Sequence, residues 1–355
     1  MKTRIVKQSI VVTLILVFIG ASVVSGLKTN VANNDQPMSR SKWLYVGGNG
    51  PGNYTSIQLA IDNSSNGDTI YVYNKTYNEN LDTKAKKITL MGENRDITII
   101  QGQGTNPMLK IGTGLGSSDI TITGFTMIGV TPEPVIQVTG SSSSILINHN
   151  LIQQGAYGVT IDANTNKITV SDNIISDQVY AGIQATSTSY DVISANLIEK
   201  SGGQGIDLGL GSNHNSILNN TIMNNAKEGI FLEGLGNKVT TISGNNISNN
   251  QVGIRFTSSG TNTITNNNIQ GSAMEGLLMK SSSDDVIQFN NFIGNKRQAS
   301  YQFSSRDTWD ANYWSNWIGF KLSQPLFQKF PKAIFGFMHV YLDMHPQKQP
   351  YNITA

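Results

Sequence analysis

Between Ile147 and Phe292 one phrase occurs seven times: a β-branched apolar residue, asparagine three positions later, and another apolar residue two beyond that. It reads Ile147/Asn150/Ile152, Val170/Asn173/Ile175, Ile193/Asn196/Ile198, Ile217/Asn220/Ile222, Ile242/Asn245/Ile247, Ile264/Asn267/Ile269 and Ile287/Asn290/Phe292. Successive asparagines are 23, 23, 24, 25, 22 and 23 residues apart, and a fixed period in the low twenties is the mark of a solenoid. A second column runs in phase, Gly followed by an apolar residue at Gly158-Val159, Gly182-Ile183, Gly205-Ile206, Gly229-Ile230, Gly253-Ile254 and Gly276-Leu277.

Within each repeat short apolar strands alternate with Asn, Gly and Ser turns, and no segment there sustains an apolar period near 3.6, which excludes helical and leucine-rich solenoids. A turn of about 23 residues holding three short strands, stacked at roughly 4.8 Å per rung, is an all-β, single-stranded, three-sided parallel β-helix. Isoleucine and valine columns point inward. Asparagine is expected to supply left-handed backbone at a bend and to hydrogen-bond along the axis, and glycine to supply positive φ or close chain approach. The seven ladder asparagines are therefore read as structural. Ile97–Ile100 and Ile120–Ile122 resemble two earlier, looser rungs, so the expectation is roughly nine rungs and a rod of about 40 Å.

A solenoid lengthens by adding rungs, so 355 residues need not mean two domains. The expected organisation is a signal peptide over 1–26, a linker over 27–41, an N-terminal cap and first rungs over 42–112, β-helix repeats over 113–300 and a C-terminal cap and tail over 301–355. Lys2, Arg4 and Lys7, the apolar stretch Ile10 to Ile19 and the small residues Ser22, Ser25 and Gly26 have the layout of a secretory signal, with cleavage expected near Ser25 or Gly26 and an uncleaved anchor as the alternative. The chain is thus expected to be exported, to an extracellular, cell-surface or periplasmic location. Charged residues are only 14% of the chain, against 39 asparagines. The net charge of +2 falls to −1 without the three basic residues of the signal, leaving no basic footprint for nucleic acid. No cysteine is present, which excludes disulfides, thiolate ligands and cysteine nucleophiles. Sequons at Asn53, Asn63, Asn74, Asn219, Asn246 and Asn352 are candidate glycosylation sites.

An open coil must be capped at both ends. The run Thr55 to Asp62 has Thr and Ser at capping positions and Ile57, Ala60 and Ile61 on one helical face, so it reads as an N-terminal capping helix. That run, with Gly67-Asp68-Thr69-Ile70, Tyr77-Asn78-Glu79-Asn80-Leu81 and Ile88-Thr89-Leu90-Met91-Gly92-Glu93-Asn94, resembles the start of exported right-handed parallel β-helix proteins of the pectin-lyase-like, NosD-like group of archaea and bacteria. Asp310-Ala311-Asn312-Tyr313-Trp314-Ser315-Asn316-Trp317 is similar to their aromatic closing segment, so the resemblance covers about Lys42 to Trp317. It implies the right-handed fold; for activity it implies only a mixed group of lyases, hydrolases, epimerases and binding modules. Beyond it, the tail from Gly319 carries an apolar stretch, Ile334 to Leu342, too short to span a bilayer and expected to pack over the last rung or along the coil, with a membrane or partner contact as the alternative.

Residues two apart on a strand share a face, so the inward residues of each Gly-apolar strand define an outward column Thr160, Gln184, Asp207, Phe231, Arg255, Leu278 and a second, Asp162, Thr186, Gly209, Glu233, Thr257, Lys280. Asp207 and Glu233 are expected about 8 Å apart on adjacent rungs, within the range of an inverting glycosidase pair. Arg255 would hold a uronate carboxylate or an enolate, and Phe231 would stack on a sugar. Asp162, Gln184, Phe231 and Lys280 are the remaining candidate substrate contacts. The competing reading is a solvated face whose opposite charges limit repulsion. The NTD, DD, GHG and RIK segments of polygalacturonase-like hydrolases are missing apart from Asp284-Asp285, as are the WIDH-type segment of pectate lyases and the DPHE segment of alginate epimerases.

The four histidines, His149, His214, His339 and His345, are too scattered to suggest a metal site. NosD-like naming invokes copper accessory function, which this cysteine-free, histidine-poor chain does not support; calcium would have Asp162 or Asp207 but no dense acidic loop. Three functions therefore stand after the sequence: a non-catalytic rod binding polysaccharide or cell-surface glycan, a lyase or glycoside hydrolase of a uronate-containing polymer using Asp207, Glu233 and Arg255, and a periplasmic accessory protein for metalloenzyme maturation.

Overall fold

The computed structural model describes residues 41–114, 116–235, 238–317, 331–336 and 340–355. The signal, nearly all of the linker, His339 and the first part of the tail lie outside the described residues. The chain winds through three parallel sheets of 12, 11 and 10 strands. The first runs from Trp43–Val46 to Thr308–Asp310, the second from Lys75–Asn78 to Tyr313–Trp314 and the third from Leu81–Asp82 to Arg297–Gln302. Each strand pairs with its counterpart one turn earlier and one turn later, so the coil has about 12 turns rather than the nine expected. The rungs before Ile120 were undercounted because they lack the Asn phrase: Val46, Ile70 and Leu90 fill the inward column without it. At about 4.8 Å per rung, eleven steps give a rod of about 53 Å.

The interior is a set of aliphatic stacks. Ile147, Val170, Ile193, Ile217, Ile242, Ile264 and Ile287 are each at most 1% exposed and pair in register along the first sheet. Ile183, Ile206, Ile230, Ile254 and Leu277 do the same in the third. The glycine preceding each of those residues has a steric cause. A Cβ on Gly229 would lie 2.7 Å from the Gly253 carbonyl oxygen and 2.7 Å from a methyl of Ile247, and Gly182, Gly205 and Gly253 are equally confined. Close approach, not positive φ, selects glycine in this column.

All seven ladder asparagines, Asn150, Asn173, Asn196, Asn220, Asn245, Asn267 and Asn290, are buried and bonded along the axis. The Asn150 backbone N–H and amide donate to Asn173 Oδ1 at 3.0 and 3.2 Å, and those of Asn173 donate to Asn196 Oδ1 at 3.0 and 3.1 Å. Asn220 Oδ1 accepts from the Asn196 backbone N–H and amide, both at 3.0 Å. Its own amide donates to the Ile193 carbonyl at 2.8 Å and to Asn245 Oδ1 at 3.0 Å. Further along, Asn245 donates in the same two ways to Asn267, and Asn267 to Asn290.

The left-handed bend falls on the residue before most of these asparagines instead. His149, Asp172 and Asn266 bend immediately before Asn150, Asn173 and Asn267, and Ala195, Asn219 and Phe289 do so before Asn196, Asn220 and Asn290, with φ between 53 and 58°. The expectation that Asn150, Asn173, Asn267 and their counterparts supply the bend is corrected. Their buried amides hold successive rungs together, and hydrogen bonding alone explains the ladder. One rung was also missed. Asn312 continues the ladder, accepting from Asn290, but Trp309 stands where the phrase has a β-branched residue.

Two further buried polar lines occupy the other corners. One uses Gln178, Asn225, Asn250 and Asn295, whose side-chain oxygens accept from the backbone N–H groups of Gly155, Ser201, Asn225 and Ser272. The other includes carboxylates: Asp191 accepts from Ile168, Asn262 from Thr240, Asp285 from Asn262 and Asp307 from Asp285. Their spacing of 22 to 25 residues was visible in the sequence, but the residue types change from rung to rung.

Both ends are closed. Helix Ile57–Asn63 is capped by Ser56, whose hydroxyl accepts from Leu59 N–H, and Glu79 accepts from the Ile57 and Gln58 N–H groups; Ile57, Ala60 and Ile61 are buried on the first rungs. At the other end the antiparallel strands Lys332–Phe335 and Val340–Asp343 fold onto the last turn. Asp343 Oδ2 ends the asparagine ladder, accepting from Asn312 N–H, the Asn312 amide and Trp314 Nε1. Ile334 is buried, while Phe335 and Leu342 remain exposed. No helix among the described residues is long and apolar enough to cross a membrane.

Candidate functional site

The outer face of the ten-stranded sheet carries the outward columns. Gln137, Thr160, Gln184, Asp207, Phe231, Arg255, Leu278 and Ser300 lie directly opposite one another on successive strands, because the parallel register holds the glycine and isoleucine columns in line. Glu233, Thr257 and Lys280 form the second column. Asp207 faces Phe231, so Glu233 sits one strand on and two residues along.

A groove of about 430 Å³ opens on this face, lined by Gln184, Thr186, Asp207, Gly209, Leu210, Glu233, Gly234, Thr257 and Ser258. It brings Asp207 and Glu233 together with hydrogen-bonding side chains from neighbouring rungs. Asp207 Oδ2 accepts from Gln184 Nε2 at 3.3 Å, while Asp207 Oδ1 and Thr257 Oγ1 have no partner. Burial pushes the Asp207 carboxyl up to about 6, and the charges of Glu233 and Glu228 add to the rise against the hydrogen bond from Gln184. The groove therefore places a half-buried carboxyl group with a raised pKa beside a second carboxyl group.

Two expected contacts take other partners. Arg255 reaches back to Glu228, Nη1 to Oε1 at 3.0 Å, and its guanidinium lies 5.1 Å over the Phe231 ring. Phe231 is therefore only 7% exposed and presents no free face for a sugar. Arg255 is thus held, through one guanidinium nitrogen, by a carboxylate that is itself buried. Sequence reasoning missed Glu228 because it precedes the Gly-apolar pair and falls outside both columns. Asp162 lies away from the groove and accepts from Gln137 at 2.9 Å, whereas Lys280 follows Thr257 in register at the groove's far side.

The remaining sequence candidates are tied into turns or sealed in the coil. Asn150, Asn173 and Asn267 are at most 1% exposed and, like the rest of the ladder, offer no atom to a ligand. His149 Nδ1 lies 3.2 Å from Asp172, His214 stacks on Tyr190 with ring centroids 5.0 Å apart, and His345 Nδ1 is 2.6 Å from Asp310. Asp162 and Asp207 each bond to a different glutamine, and among the described residues no three His, Asp or Glu side chains gather as a metal site. The Asp284-Asp285 pair is split: Asp284 forms a bidentate pair with Arg306 at the surface, and Asp285 is buried in the carboxylate ladder. Of the sequons, Asn63, Asn74, Asn219 and Asn352 are exposed, while Asn53 and Asn246 are half-buried and bond to Gly47 and Asn268.

Comparison of sequences with curated proteins gives no significant match. Among solved structures the chain is similar to the A-module of mannuronan C-5 epimerase AlgE4 from Azotobacter vinelandii, at a TM-score of 0.54 and 16% identity over 72% of this chain and 88% of that one. It is also similar to the enzymatically active domain of tailspike protein 2 from bacteriophage CBA120, at 0.55 and 15% over 75% and 45%. DFA-IIIase from Arthrobacter chlorophenolicus A6, in complex with GF2, matches at 0.52 and 9% over 69% and 83%. At such identities the likeness is one of fold. The family model described as the right handed beta helix region matches residues 113–261 and 233–316, which together take in more than half of the sequence. The period, the three sheets and that match agree, and the chain belongs to the right-handed β-helix region family.

Proposed function

We propose that this β-helix is an exported, NosD-like rod that binds polysaccharide or cell-surface glycan along the outer face of its ten-stranded sheet without turning it over. The observation that carries the reading is the groove from Gln184 to Ser258, where side chains with hydrogen-bonding capacity converge and two polar atoms, Asp207 Oδ1 and Thr257 Oγ1, have no partner within the protein. A groove on which several hydrogen-bonding side chains converge is a place for a polar ligand. The fold is also one on which mannuronan epimerase modules are built. The absence of turnover rests on Arg255, whose charge is already balanced by the buried Glu228 carboxylate.

A second reading, glycoside hydrolysis, is favoured by one observation: Asp207, a carboxyl raised to about 6, stands beside a second carboxyl group, that of Glu233. One experiment addresses both. The purified protein is incubated with neutral and uronate-containing polysaccharides, with and without calcium, while binding is followed by affinity electrophoresis and reaction by reducing ends and unsaturated product. Binding without either product, weakened about tenfold by Glu233→Gln, is the expected result. Reducing-end release abolished by Glu233→Gln would make the protein a hydrolase, and failure to retain any glycan would refute the binding reading.

A further inference from the structure

A larger groove lies elsewhere, at the C-terminal end of the same sheet. It is a groove of about 590 Å³ between the last coil strand, Arg297–Gln302, and the tail strand, Lys332–Phe335, which docks on it through the bridge between Tyr301 and Gly336. Its lining is cationic. Lys332 donates to Asn316 Oδ1 at 3.0 Å, and among the described residues neither it nor Lys296 pairs with an acid. Arg297 alone is compensated, by Glu275 at 2.9 Å. Burial lowers the Lys332 pKa, and no neighbouring acid among the described residues opposes that fall. A partly desolvated ammonium without a counter-charge is an unsatisfied site for an anion.

A second observation is independent of the charges. Ser300 ends the outward column opposite Leu278, lines this groove, is 7% exposed and has an Oγ with no hydrogen-bond partner. Its neighbour in the column is aliphatic, so the coil offers it nothing. A third is the ring of Phe335, 70% exposed on the groove's tail side, where an apolar ring costs solubility unless something covers it. Ammonium groups, a buried hydroxyl donor and an exposed ring at one cavity match a pyranose that carries an oxyanion.

We propose that this groove binds an acidic saccharide unit, with Lys332 and Lys296 contacting its carboxylate or sulfate, Ser300 Oγ bonding a ring hydroxyl and Phe335 stacking on the ring. The glycan part rests on the reading of the sheet face above; the anion site rests on the groove alone. It also gives that sheet a polarity, since the groove at Asp207 and Glu233 carries two carboxyl groups and this one carries cations.

The test is calorimetric titration of the full chain with a tetragalacturonate, a sulfated tetrasaccharide, a neutral tetrasaccharide and inorganic sulfate. The acidic oligosaccharides should bind at least about tenfold more tightly than the neutral one, and raised salt should weaken them. Lys332→Gln, which keeps a donor for Asn316, and Lys296→Gln, at an exposed position, should each weaken acidic binding about tenfold with the melting temperature unchanged, and Ser300→Ala should weaken it several-fold. Inorganic sulfate binding as tightly as the acidic oligosaccharides overturns the saccharide assignment. Acidic binding indifferent to Lys332→Gln and Lys296→Gln overturns the groove, even if Glu233→Gln abolishes binding at the middle of the face. A chain that retains no glycan of any charge refutes the reading of the whole face.

Discussion

Replacing Asp285 by asparagine should stabilise the rod at alkaline pH and leave it nearly unchanged in acid. Asp285 is fully buried: its Oδ1 accepts from the Asn262 backbone N–H at 2.8 Å and the Asn262 amide at 3.0 Å, and its Oδ2 accepts from Ser282 Oγ. One rung earlier the equivalent place is held by Asn262, whose amide donates to Ser259 Oγ at 2.9 Å, so an amide at 285 finds the same partners with the serine hydroxyl turned round. Burial pushes the Asp285 carboxyl from 3.8 up to about 6. The folded state therefore holds its proton more tightly than the unfolded state, and stability falls as pH rises. The contribution is fully present below pH 3.8 and is lost as pH passes about 6. The difference corresponds to about 3 kcal/mol in all, of which about 2.5 kcal/mol disappears between pH 4 and pH 8. Denaturant unfolding of wild type and Asp285→Asn at those two pH values should show the variant gaining about 2.5 kcal/mol relative to wild type at the higher pH, or about 4 °C in melting temperature. Parallel pH profiles, or a variant less stable than wild type at pH 8, would refute the reasoning.

Two other substitutions probe the scaffold. Asn220→Ala strands the Asn196 N–H and the Ile193 carbonyl in a buried interior, and at about 1–3 kcal/mol for each orphaned group the loss should be about 2–6 kcal/mol by denaturant unfolding. An effect below about 1 kcal/mol would mean that water enters the ladder. Asp343→Ala removes the acceptor of three donors at the C-terminal end, so the tail should detach before the coil melts; Trp314, whose indole N–H it accepts, should report this as a fluorescence change preceding loss of β-sheet circular dichroism. A single coincident transition would show that the tail is not the weak point.

The asparagine phrase and the glycine column were legible because in a parallel coil each residue packs on its own counterpart one turn away. A residue with a fixed job therefore recurs at a fixed spacing. The same logic made the outward columns readable, and the pairing of Gln184, Asp207, Phe231 and Arg255 follows the expected order. What escaped were jobs done by changing residue types. The carboxylate ladder passes through Asp191, Asn215, Asn262, Asp285 and Asp307, and no single-letter column reveals it. The reason for each recurrence was also partly hidden. The bend falls on His149, Asp172 and Asn266 rather than on Asn150, Asn173 and Asn267, and glycine answers to a neighbouring carbonyl rather than to φ.

By itself, then, the sequence determined the coil, its period, its inward stacks and the face left open, because all of these repeat and repetition is visible in one dimension. Only the tertiary structure decided where long side chains and the non-repeating tail come to rest. Arg255 turned to Glu228 instead of the groove, Asp343 closed the ladder from 31 residues away, and Lys332 was set beside Lys296 and Ser300. Flexible side chains choose among several neighbours within reach, and the tail has no copy of itself to stack on. Both outcomes depend on competition between particular contacts in three dimensions, which no periodicity encodes.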